Sequence, residues 1–265
     1  MTWGSADFLA GVASRTRSAW AVLAGSQLIG LVAVLIAATA AGTWGADIGW
    51  LPWGLFAGTT GCIGLICFYT ALATGTMGVV SPIASMGAIV PVVVGFASGE
   101  SPSGTQLAGI TLALVGVVAA SGPELSGVTG GRPVLLAIVA GAMFGLVFVG
   151  LDQGSVSSPL MTLVGMRLAS CGALLAAAAI FRTTAGLRVA DVPLLAVVGL
   201  GDLGANFMFG LASTRGLVSL VSVLGALYPV VTVLLARLVL AERLRPIQAL
   251  GVAVALTGVV LISVG

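Results

Sequence analysis

The sequence predicts an all-α, polytopic membrane protein of ten transmembrane helices in two inverted five-helix repeats, with the first helix truncated. Three observations carry this expectation. The 265 residues are 59% hydrophobic and only 7% charged. Apolar windows long enough to cross a bilayer follow one another with short polar breaks between them. The two halves of the chain also match one another at a nearly constant offset.

A soluble domain carries about 25% charged residues, because its surface faces water. With a mean hydropathy of +1.21, this chain has too little charge to cover such a surface, so most of its exterior faces lipid. The net charge of +2 is small and scattered, which gives no electrostatic footprint for nucleic acid. All ten basic residues are Arg, and there is no Lys or His. The missing His removes the commonest metal ligand and general base, so no metal, cofactor or catalytic residue is expected. Cys62, Cys67 and Cys171 lie in apolar stretches without metal-ligand spacing, and their odd number argues against a disulfide framework. They are expected to pack as small hydrophobes.

A helix crossing the hydrocarbon needs about 20 mostly apolar residues. Such windows run near 19–41, 52–74, 77–98 and 106–121, then near 133–151, 159–181, 193–213, 217–240 and 246–264. Pro52, Pro133, Pro159, Pro193 and Pro246 mark helix starts, where a missing N–H costs nothing. Met1 to Ala13 would rise only about 20 Å, and it lacks the charged start and cleavage site of a signal peptide. It reads as the second half of a helix whose beginning is missing.

The repeat is visible residue by residue. Ser85 to Pro91 (Ser-Met-Gly-Ala-Ile-Val-Pro) falls on Val223 to Pro229 (Val-Leu-Gly-Ala-Leu-Tyr-Pro) at an offset of 138, and Ser81 falls on Ser219. Glu100, Gln106, Gly109 and Gly116 fall on Glu242, Gln248, Gly251 and Gly258 at an offset of 142. Trp3-Gly4 matches Phe144-Gly145, a register in which the first span lacks the residues that Pro133 to Ala142 supply in the sixth. The repeats are therefore expected over 1–121 and 132–264. A unit of five spans, an odd number, inserts its second copy upside down, which puts a substrate site at the repeat interface near the midplane.

Several of these residues carry a family resemblance. The opening Trp-Gly-Ser-Ala-Asp-Phe-Leu-Ala-Gly (3–11), the Pro91 and Pro229 helices, Glu100…Gln106-x-x-Gly109 and Leu240-Ala-Glu-Arg-Leu…Gln248-x-x-Gly251 resemble EamA-type proteins of the drug/metabolite transporter superfamily. The resemblance spans the whole chain. It implies ten spans and a multi-pass plasma-membrane carrier, often an exporter of amino acids, other metabolites or drugs, and it does not name the cargo. The chain departs from the usual pattern in its short first helix, and it has Gln27 where the second copy has Arg167.

Ionisable groups at membrane depth are costly and tend to be functional or paired. Arg167 lies roughly 12 Å into the seventh span and Asp202 about 16 Å from the same face in the eighth, an antiparallel neighbour. Two readings stand side by side: a structural ion pair, or Arg167 as ligand for a substrate carboxylate with Asp202 as its exchangeable counter-ion. Asn206 shares the Asp202 face, Gln27 lies opposite Arg167 across the pseudo-two-fold axis, and Tyr69 and Tyr228 add an aromatic wall. Asp7 is the candidate for a coupling proton, with a cap or a pair to Arg15 or Arg17 as the alternative. Pro91 and Pro229 free a carbonyl inside a span and are hinge candidates. Arg237 is expected to snorkel to the interface.

Gly199-Leu-Gly201-Asp-Leu-Gly204 fits G-x-G-x-x-G, but no βαβ unit or acid about 20 positions on accompanies it. Those glycines read as close-approach sites, like Gly54-x-x-x-Gly58 and Gly141-x-x-x-Gly145. Arg15, Arg17, Arg132, Arg182, Arg188, Arg243 and Arg245 crowd one set of alternating connections. The positive-inside rule then puts both termini outside, whereas the resemblance implies both inside, and the orientation stays open. The function expected is secondary transport of a small molecule of unknown identity within the lipid bilayer, with room for a homodimer. The alternatives are a non-transporting membrane partner or sensor, and an intramembrane lipid-modifying enzyme, which the sequence disfavours because Asp7 and Asp202 have no partner acid.

Overall fold

A backbone in lipid must satisfy each N–H and C=O internally, so the apolar windows fold as helices. The computed structural model describes residues 2–6, 9, 19–74, 80, 83–120, 131–181, 189–239 and 245–265, and no strand occurs among them. Residues 2–6 are helical. The helices that follow are α1 (Ala19–Ala40), α2 (Trp50–Thr74), α3 (Ile89–Ala97), α4 (Gly104–Ala120) and α5 (Gly131–Ser155). Then come α6 (Pro159–Phe181), α7 (Val192–Ser213), α8 (Val218–Gly225), α9 (Tyr228–Val239) and α10 (Pro246–Val264). Among the described residues, six stretches are long and apolar enough to cross a membrane: Val22–Ala40, Trp50–Phe68, Gly131–Ser155, Pro159–Ile180, Val192–Ser213 and Pro246–Val264. Ile83–Ala97 and Gly104–Ala120 are shorter apolar helices.

Two compact units form, Met1–Cys62 with Gly150–Thr214, and Ile63–Val149 with Arg215–Gly265. Each draws on both halves of the sequence. In the first, α1 packs on α6 and α7. Gly54 and Gly58 let α2 approach α6 closely: a Cβ on Gly54 would come within 2.6 Å of the Thr162 carbonyl oxygen, and one on Gly58 within 2.7 Å of Ala169 Cβ.

In the second unit, α4 and α10 pack antiparallel along their length. A Cβ on Gly116 would lie 2.6 Å from Ala255 Cα, and one on Gly109 would lie 2.8 Å from the Gly258 carbonyl oxygen. These glycines are the repeat markers, so equivalent helices of the two halves meet head to tail, as an inverted repeat requires. The matching glutamines share a role as well. Gln106 Oε1 accepts the Ser103 N–H at 2.8 Å and Gln248 Oε1 accepts the Arg245 N–H at 2.9 Å, each closing a helix start.

The span expected over 77–98 tightens to a 3-10 turn inside the helix Ile83–Ala97, and the span expected over 217–240 is interrupted. A proline lacks the N–H that would bond the carbonyl four residues back, and its ring crowds that carbonyl, at a cost of about 3 kcal/mol or more in a helix. For Pro91 and Pro229 those positions are Gly87 and Gly225. Met86–Ala88 form a 3-10 turn before α3, and α8 stops at Gly225 before a turn at Ala226 and Leu227. The 3-10 turn and the interruption thus each lie one turn ahead of their proline, at matching places in the repeat. The first is packed against α5, where Gly141 Cα would lie 3.3 Å from a Cβ on Gly87.

The start of α8 is closed from far along the chain. Leu217, its N-cap, makes no side-chain cap bond. Instead the Glu100 carboxylate accepts the Val218 N–H at 2.5 Å and the Ser219 N–H at 3.0 Å. Gly99, at φ 93, provides the left-handed turn that delivers Glu100 after α3. An acid at a helix N-terminus also opposes the helix dipole favourably. We expect Glu100→Ala to leave two N–H groups without this partner and to cost about 1–3 kcal/mol. Thermal unfolding in detergent should rank wild type above Glu100→Gln, and Glu100→Gln above Glu100→Ala.

Candidate functional site

The first unit holds the polar cluster. Arg167 projects from α6 and its side chain is only 1% exposed. Its Nη2 donates to Asp202 Oδ2 on α7 at 2.5 Å. Its Nη1 donates to Gln27 Oε1 on α1, the repeat-equivalent position 140 residues earlier. Arg167 therefore bridges both repeats. Because Arg has only donors, the Gln27 atom facing it must be the oxygen.

Asp202 is held from its own helix too. Asn206 Nδ2 donates to Asp202 Oδ1 at 3.1 Å and to the Asp202 carbonyl oxygen at 2.8 Å, the contact that the i, i+4 spacing makes available. Gly199, Gly201 and Gly204 sit inside the unbroken α7. Gly30, which carried no signal in the sequence, lets α1 pass over the guanidinium: a Cβ there would lie 3.2 Å from Arg167 Nε. That Nε is buried and has no hydrogen-bond acceptor among the described residues. Trp3 packs on Phe209 with ring centroids 5.9 Å apart, a second pairing that the sequence did not announce.

The remaining candidates lie elsewhere. Tyr228 opens α9 in the second unit, half-buried and engaged in contacts of its own. Tyr69 lies on α2 and Pro229 on α9, and their side chains lie outside the described residues, as does that of Arg237. Asp7, Arg15 and Arg17 also lie outside them. Pro91 is buried in α3. All three cysteines are free thiols, and the Cys62 sulfur lies 3.9 Å from the Ser170 carbonyl oxygen.

The model of the EamA-like transporter family matches residues 1–122 and again residues 131–264. The chain belongs to the EamA-like transporter family. Two consecutive matches cover nearly all of it, so this EamA-like chain is a multi-pass membrane protein of a transporter family. A protein solved by crystallography shares the fold over 99% of this chain and 93% of its own, with a TM-score of 0.81 and 19% sequence identity. No curated protein matches the chain.

Removing one partner of a buried ion pair leaves the other charge uncompensated, which costs up to about 3–5 kcal/mol, whereas replacing both with apolar groups is often neutral. Asp202 is 33% exposed, which lowers the figure here. Asp202→Ala should therefore lower the melting temperature, and adding Arg167→Met should restore part of the loss. A double variant less stable than either single change would contradict this assignment.

Proposed function

We propose that this protein is a secondary carrier that exports a small organic metabolite or drug across the plasma membrane by alternating access. On this reading ten spans form two inverted repeats, residues 1–121 and 132–264, that rock against one another. The observation that supports it best is the buried guanidinium of Arg167, tied to Gln27 of the first copy and to Asp202 of the second. A charge at the bilayer centre costs about 2.5–3.5 kcal/mol on insertion scales, and such residues mark solute paths in membrane proteins.

Arg167, Asp202, Asn206 and Gln27 form the solute site in this reading, with Tyr69 and Tyr228 as aromatic walls. Asp7 carries the coupling proton. The paired breaks ahead of Pro91 and Pro229 act as hinges, because a helix interrupted there can change its bend without losing further backbone bonds.

Purified protein in liposomes, screened for uptake and counterflow of amino acids and organic cations, tests the proposal. At least one class should exchange, and Arg167→Ala should slow it tenfold or more while the protein still reaches the membrane. Folded protein that moves none of them would contradict the carrier reading.

A further inference from the structure

The two charges of the cluster differ in what can reach them. Arg167 is 1% exposed, while Asp202 is 33% exposed. Asp202 lies on the packed face of α7. Asp202 shares a helix face with Leu195, Asn206, Phe209 and Ser213, at spacings of four, seven and eleven, and all four of those are buried. The opposite side of α7 carries the apolar Val197, Leu200 and Met208, all exposed. Asp202 thus opens on the inward side of α7, among residues that are otherwise packed.

The guanidinium is closed to a solute. The Arg167 side chain is 1% exposed, Nη1 donates to Gln27, Nη2 donates to Asp202, and Nε is buried. A solute carboxylate would have to displace the Asp202 carboxylate, a group of its own charge. The accessible chemistry is instead that of an acceptor, since a carboxylate has about four lone-pair sites and Arg167 and Asn206 engage one on each oxygen. Along the same face the buried Phe209 follows about 10 Å further on, with the half-buried Trp3 ring tilted against it at 46°. Aromatic faces attract cations and apolar bodies alike.

We propose that Asp202 is the solute-facing group of this cluster, and that the solute presents to it a positively charged nitrogen, a protonated amine on an apolar or aromatic body. Arg167 is then a positioning residue that fixes the carboxylate from behind. This rests on the carrier reading for its biological meaning, but the binding chemistry can be tested apart from transport.

The test uses the full chain in detergent with three probes of one ring and different heads: phenethylamine, 2-phenylethanol and 3-phenylpropionate. A ligand that binds only the folded state raises the melting temperature in proportion to its saturation. Phenethylamine should raise it with a saturable dose dependence, and the alcohol and the acid should not. Asp202→Asn should weaken the amine response at least tenfold. Asp202→Glu, which keeps the charge, should retain the preference for amine over acid and serves where the Asn variant does not fold. A response to the acid alone, equal responses to amine and alcohol, no response to the amine, or an amine response unchanged in Asp202→Asn would each overturn the proposal. Amine binding without movement in liposomes would remove the carrier reading and leave this one standing; transport of the acid would do the reverse.

Discussion

A charge that cannot reach water must find its partners inside the protein, and Arg167 is such a charge. Its burial sets conditions that the surrounding helices meet. Gly30 keeps α1 thin enough to pass over the guanidinium, Gln27 and Asp202 come to its two terminal nitrogens, and Asn206 steadies Asp202 from one turn away. Breaking any of these leaves a donor or a charge without a partner in a medium that cannot supply one. Three helices from both halves of the sequence are thereby fixed to one another at one point.

The second unit is organised by backbone chemistry rather than by charge. Without water to drive helices together, association in lipid depends on close packing, and small residues permit it. Gly109, Gly116, Gly251 and Gly258 let α4 and α10 lie almost backbone to backbone. The prolines act in the opposite sense, opening a helix one turn ahead of themselves at Gly87 and Gly225. Glu100 then secures the half-helix that the second break creates. The alternating access proposed here would use both kinds of contact: seams that hold, and interruptions whose freed groups are satisfied elsewhere.

Much of this was legible in the sequence. The apolar windows gave the helices, with α5 running on to Ser155, past the expected end near 151. The depth of Arg167 and Asp202 in neighbouring spans pointed to their contact, and the repeat register put Gln27 opposite Arg167. The breaks were less accessible. A kink could be expected near each proline, but whether it becomes a 3-10 turn or a complete interruption depends on what packs against it, as Gly141 does at Gly87. Glu100 served only as a register mark, because its bond to Val218 joins residues 118 positions apart and no local pattern encodes it. The unequal exposure of Arg167 and Asp202 was equally hidden, since spacing places side chains on faces but does not say which are covered.

The central claim is that the Arg167–Asp202 cluster lies on a solute path rather than serving only to join helices. Cysteine labelling tests it most directly. With Cys62, Cys67 and Cys171 replaced by Ala, Asp202→Cys in sealed vesicles would be exposed to a membrane-impermeant, positively charged thiol reagent. The account predicts labelling of Cys at that position from at least one membrane face. Absence of labelling from both faces, in protein that remains folded, would contradict it.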